Sequence, residues 1–382
     1  MTLETCVSPL VSLDFSAVDT IVCEEAGGYC EIFLERFGDD VQARSEGLVD
    51  CLQVEAARGL PFGVAWSAEF SWLTRSVTDP SIDPVTSAAR TALKLSEAER
   101  WSDWSCRLGA PAMFRVGHCF LPEVMSIVSE SDGDGATLSF GRLDDEVMRI
   151  RMPASQAQWN PPAGAIALSP IDFQGDQIAC LTRESFAAVD FRLNDMPWTK
   201  GGEIETGQSC AAGLKLLQEA APKFAPWVGH VVRNVVPLAA DRYIRSQSAS
   251  DYPGTIALSS PASRTAIAEM FVHESSHQYY HILERFEPVQ DPAINESFYS
   301  PVKKTQRPLS MILLAYHAFA NVILFYRACL EAGIAESQQC ELNIARHLPE
   351  LRAMEQSLAS SRSLTDAGRL LFDPLAELIA DF

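Results

Sequence analysis

Apolar positions recur at helical spacing in the first hundred or so residues and again from about residue 205 onward, with a block of alternating apolar and polar positions between. Ile32, Phe33, Leu34 and Phe37, then Leu48, Val49, Leu52 and Val54, then Leu93 and Leu95 leading into Trp101 predict helices across residues 1–110, broken by a loop around Pro80 and Pro84. Between 111 and 204 the runs 113–120, 124–128, 136–140 and 146–152 are strand-like, with Asp132-Gly133-Asp134-Gly135 as a turn. Shorter strand-like pieces follow at 165–168 and 187–191. Helical spacing returns at 211–217 and 227–236. A polar loop at 246–254, a short strand at 255–259 and an apolar helix from Thr265 come next. Pro288, Pro292, Pro301 and Pro308 then break the chain into a long connection. A second apolar helix runs from Leu309 to about Leu330, and the remainder is helical, with Thr365 and Asp366 as N-cap signals and Pro374 early in a last short helix. The expected fold class is α+β, mainly helical. It divides into an N-terminal helical region (1–110), a β-rich region holding a small antiparallel sheet (111–204) and a helical region (205–382).

The first of the two apolar helices contains His273-Glu274-Ser275-Ser276-His277. In this H-E-x-x-H pattern the two imidazoles stand at i and i+4, stacked on one helix face roughly 6 Å apart, close enough to share one metal ion. Glu274 can reach a metal-bound water or orient a ligand. The bland alternative is a pair of surface histidines on an amphipathic helix. Against it, four of the seven histidines (His273, His277, His281, His317) fall within 45 residues, so 205–382 is read as a helical metal-binding domain.

Composition narrows the setting. A formal charge of −20 disfavours nucleic acid and anionic membrane as partners. No uninterrupted apolar run reaches the ~18 residues that a membrane span needs, and the N-terminus lacks a basic segment followed by an apolar one. Ten cysteines without C-x-x-C pairs point to free thiols in a reducing cytoplasm and away from a cysteine-ligated zinc.

Two histidines rarely hold a catalytic metal alone. His281 continues the i+4 series, but three such positions spread over ~12 Å of helix axis, too far for one ion. His317, in the middle of the second apolar helix, is the favoured third ligand, since an unpaired imidazole there is costly. Glu296 is the rival, as in metallopeptidases whose third ligand is a Glu some eighteen residues after the second His. His118, in a strand-like run, and His230, on an apolar stretch, are better explained as structural.

Taken in order, Gly254-Thr255-Ile256-Ala257-Leu258-Ser259, Ala268 to His277, Tyr299-Ser300-Pro301, Arg307-Pro308-Leu309 and His317-Ala318-Phe319 resemble the H-E-x-x-H peptide modification proteins, over roughly residues 205–330. In that family's pattern the histidine after the Arg-Pro pair comes about one turn sooner, where this chain has Leu314. The resemblance implies a 2-oxoglutarate-dependent peptide β-hydroxylase acting on a ribosomally made precursor peptide of a natural product. It implies three protein ligands on Fe(II), leaving positions for 2-oxoglutarate and O₂. It also implies a basic side chain for the distal carboxylate of 2-oxoglutarate: Arg307 by position, with Arg285, Lys303, Lys304 and Arg327 as alternatives. Glu274 then orients a ligand or water. The competing enzyme is a zinc peptidase in which Glu274 is the general base on a Zn(II)-bound water and Glu296 the third ligand.

Overall fold

The computed structural model describes residues 3–132, 134–152, 161–182, 203–239 and 246–382. About 51% of the chain is helix and about 23% strand, an α+β fold with helix in the majority. The strand-like run at 187–191 lies outside the described residues.

The N-terminal helices are α1 (Ser16–Ala43), α2 (Leu48–Arg58), α3 (Phe62–Ala65), α4 (Ala68–Ser76) and α5 (Pro84–Glu97). Two have side-chain caps. Ser67 accepts from Phe70 N ahead of α4, and Asp83 accepts from Thr86 N ahead of α5, whose first residue is proline. Strand begins earlier than the sequence spacing suggests, because Trp104, Cys106 and Leu108 alternate buried with more exposed neighbours. The first sheet runs β1 (Ser45–Glu46), β2 (Trp104–Val116), β3 (Cys119–Ser131), β4 (Ala136–Arg142) and β5 (Val147–Met152), all antiparallel, with β6 (Ile166–Ala167) also on β3. His118, expected inside a strand, instead shares the tight turn between β2 and β3 with Gly117, whose φ is 53°.

A second, mixed sheet has the order β10 (Ser246–Ser248), β11 (Thr255–Ser260), β9 (Asn234–Ala239), β8 (Asp176–Cys180), β7 (Ser169–Phe173). Strand β9 is parallel to both neighbours, while β10 and β7 pair antiparallel at the edges. This sheet unites strands from either side of the expected boundary at 204/205. The expected helix at 227–236 is in fact helix then strand. Following α6 (Glu203–Ala220), α7 (Phe224–Val231) ends before β9, whose residues are buried on both faces. A strand covered on both sides shows no alternation and is not separable from helix by period.

The C-terminal part holds α8 (Arg264–Phe286), the hairpin β12 (Ser297–Ser300) and β13 (Thr305–Pro308), α9 (Leu309–Glu331), α10 (Ser337–Ser360) and α11 (Asp366–Leu378). Thr365 caps α11 through Gly368 N, as its position suggests. The hairpin occupies part of the expected long connection. Helix α8 packs against α6, α7, α9 and the β10–β11 edge of the mixed sheet. Gly213 makes the α6 contact possible: a Cβ there would lie 2.5 Å from Ile267 Cγ2. By length and composition α9 is the one described helix apolar enough to cross a membrane, contrary to the expectation of none, but it is mostly buried inside the fold. The main hydrophobic cluster runs from Leu3 to Ile379 and draws on all three sequence regions.

Candidate metal centre

Helix α8 is continuous because Ser263 caps it through Ala266 N and no glycine or proline interrupts residues 264–286. It is also buried on almost every side. Between Thr265 and Leu283 the positions that are not fully buried are Ala266, Glu269, His273, His277 and His281. Their spacing of three or four residues makes one stripe along the helix. The polar residues on the other faces are engaged with the fold. Gln278 Oε1 accepts from Gly254 N, Ser276 Oγ donates to Val272 O, and the Tyr279 and Tyr280 hydroxyls donate to Trp227 O and Ser310 O. The histidine stripe is therefore the surface that α8 presents to the rest of the site.

On that stripe the rings of His273 and His277 lie 4.7 Å apart, centroid to centroid, and nearly perpendicular. One nitrogen of each and one oxygen of Glu274 lie within 4.8 Å of one another. Glu274 is buried, and its Oε2 accepts a 2.6 Å hydrogen bond from Ser248 Oγ on β10. Among the described residues the other carboxylate oxygen takes part in no hydrogen bond. Nδ1 of His277 is buried without a hydrogen-bond partner. Burial, with the charges of His273, His281, His317 and Lys303 adding to it, pushes the His277 pKa well below the ordinary histidine value, so the ring stays neutral with a free lone pair. That is the state a metal ligand requires. Two imidazoles and a carboxylate suit either Fe(II) or Zn(II).

These groups open into a cavity of about 280 Å³, whose walls also include Lys303, Arg307, Leu314 and Phe319. Arg307, on β13, lines this cavity. Its guanidinium contacts Met311 Sδ at 3.4 Å and, among the described residues, neither it nor Lys303 forms an ion pair. His281 reaches the same cavity while lying 3.4 Å from Glu284. Other basic candidates fall elsewhere. Arg285 donates to Ser250 O and faces Glu25, Lys304 is exposed in the turn of the β12–β13 hairpin, and Arg327 donates to Leu378 O.

Neither expected third ligand stands in this cavity. The His317 ring is fully buried and Nε2 donates to Val7 O at 2.8 Å, toward the N-terminal segment. Leu314, three residues earlier and so about 60° away around the helix, lines the cavity together with Met311, Ala315 and Phe319 of α9. Glu296 accepts from the hydroxyls of Ser361 (2.6 Å) and Ser363 (2.8 Å) and ties its loop to the connection between α10 and α11. His118 and His230 are likewise away from the centre, His230 being stacked between Phe15 and Phe62. Two nearby groups had no signal in the sequence. Ser248 sat in an apparently featureless polar stretch. His347, on α10, packs on Phe319 (5.0 Å), which itself meets His273 edge-on (5.5 Å). Burial lowers the His347 pKa to about 4.

Compared with known proteins, the chain matches no protein-family model and no curated protein.

Proposed function

We propose that this chain is an Fe(II)- and 2-oxoglutarate-dependent oxygenase that β-hydroxylates a residue of a ribosomally made precursor peptide, the activity that its motif order implies. The observation that carries the proposal is the Arg307 guanidinium, without an ion-pair partner among the described residues, in the same small cavity as His273, Glu274 and His277. In a chain with a net charge of −20, an arginine without a carboxylate partner fits a site for an anionic ligand. Its planar donor fork suits a carboxylate, and Lys303 adds a second positive charge at the rim. With Fe(II) and 2-oxoglutarate bound, such a centre supplies oxidative hydroxylation of an unactivated C–H bond, with CO₂ and succinate as the by-products.

The chain's own residues have separate tasks. His273 and His277 would hold the metal through neutral ring nitrogens, and Glu274 would complete the protein's donor set with the oxygen that Ser248 leaves free. Ser248 fixes the carboxylate's rotamer, the usual duty of a group behind a metal ligand. Arg307 would bind the distal carboxylate of the oxo acid, and the apolar wall of Leu314 and Phe319 would exclude water. Nine buried thiols and one partly buried, all free, fit a cytoplasmic setting.

A zinc peptidase is the second reading, favoured by the closeness of the Glu274 carboxylate to both imidazoles, where it could act as general base. That chemistry gives Arg307 no anionic co-substrate to bind. The two part on one assay. With Fe(II), O₂ and peptide, the proposed enzyme converts 2-oxoglutarate to succinate and adds 16 mass units to the peptide. Peptide cleavage supported by Zn(II) without any oxo acid would overturn it.

A further inference from the structure

The three residues of β10, Ser246, Gln247 and Ser248, line the metal cavity and form the outer edge of the mixed sheet. Their inner side pairs with β11 in the register Ser246↔Leu258, Gln247↔Ala257, Ser248↔Ile256. Among the described residues their backbone has no other hydrogen-bond partner, so the outward N–H and C=O groups of this edge are free to pair. Natural sheet edges are commonly blocked by a charge, a proline or a bulge. This one carries none of them, only its shortness.

The edge does not lie over solvent alone. Helix α8 packs directly beneath it, and the histidine stripe links three adjoining cavities. His273 is shared between the metal cavity and one of about 810 Å³ that holds Glu269, Arg346 and His347. His281 is shared between the metal cavity and one of about 360 Å³ that holds Glu25, Glu284 and Arg285. From Ala266 to Glu284 the cleft follows about 27 Å of helix, the length of about eight residues of extended chain.

We infer that the substrate is bound as an extended polypeptide strand added to the free edge of β10, so that its backbone crosses the His273–His277 pair. This rests on the peptide oxygenase proposed above and specifies how that substrate is held. A row of backbone donors and acceptors is complementary to another backbone, which selects polypeptide over a small metabolite and leaves the side-chain sequence to the flanking cavities. In a strand, side chains alternate between two faces. Every second residue of the bound segment therefore points toward the imidazoles, which suits a reaction at the β-carbon of one residue. Pairing through only three residues of β10 gives few backbone hydrogen bonds, so the cavities on either side must supply the rest of the affinity.

The test uses the whole 382-residue chain without metal or oxo acid, so its outcome is independent of whether the oxygenase chemistry is right. A displayed library of random dodecapeptides is selected for binding, and one selected peptide is resynthesised with a single N-methyl group at each position in turn. The inference expects affinity to fall about tenfold, the worth of one backbone hydrogen bond, at every second position within a short window, and to change little between them. Hydrogen exchange should slow at an outward amide of Ser246–Ser248 in the complex. N-methyl tolerance throughout, a three-to-four-residue period, protection at another surface, or no binder at all would overturn it. So would a concentration-dependent dimer that protects the same edge, since a second copy would then be its occupant. A protein that passes this test yet makes no succinate would sink the oxygenase and leave the strand site standing.

Discussion

Replacing His317 with glutamine separates a structural imidazole from a metal ligand. The ring is fully buried on α9, and Nε2 donates to Val7 O. Glutamine retains a donor but not the ring's shape. Val7 O also accepts from Asn321 Nδ2 at 2.9 Å, so the carbonyl keeps a partner in the variant. The cost of the lost bond and of the gap should therefore be about 1–3 kcal/mol. Charge adds a pH signature. Burial lowers the His317 pKa from 6.5 to about 4. The unfolded chain thus takes up its proton first as pH falls, and the stability held in the neutral ring is complete above pH 6.5 and lost between there and about pH 4. The full loss is about 3 kcal/mol. Urea unfolding at a series of pH values should show a shallower fall between these limits in His317→Gln than in the wild type, while His347 still contributes in both. Metal content after gel filtration in Fe(II) should stay stoichiometric. A folded His317→Gln protein that no longer retains metal would refute the reasoning and return His317 to the coordination sphere.

Arg307→Ala should weaken 2-oxoglutarate binding about 10–100-fold, the worth of a charged hydrogen-bonded pair, with little change in melting temperature because the residue forms no ion pair among the described residues; anaerobic titration calorimetry measures it. Ser248→Ala should lower turnover about 10–100-fold while metal remains bound, whereas Glu274→Gln should lower metal affinity itself, read by competition with a chelating dye. Glu296→Ala should keep its metal and unfold at a lower temperature, since Glu296 holds Ser361 and Ser363. Those hydroxyls keep its pKa below the usual carboxylate range, so the contribution is present at neutral pH and lost as pH falls through that lowered value.

The motif helix was legible because its signal is local: an i, i+4 pair, a serine cap and a breaker-free run. Helix α9 and the strands of the first sheet were legible for the same reason. The paired residues of β10 were not, because Ser246, Gln247 and Ser248 carry no apolar alternation and become a strand only by pairing with β11. The valines of β9 misled in the opposite sense, being apolar on both faces. The third-ligand question turned on rotation about α9. Leu314 and His317 are three residues apart, and spacing alone does not say which of them faces α8's stripe and which faces Val7. His347 and Phe319 were hidden more deeply, since packing of α9 on α10 brings them beside His273 across some seventy residues of chain.

The most direct test of the central claim is optical. The purified protein is loaded with Fe(II) under strict exclusion of oxygen and titrated with 2-oxoglutarate. A weak visible charge-transfer band is expected that saturates at one oxo acid per protein, is absent with Zn(II), and in Arg307→Ala needs about 10–100-fold more 2-oxoglutarate to reach half its height. No band at any concentration from an iron-loaded, folded protein would contradict it.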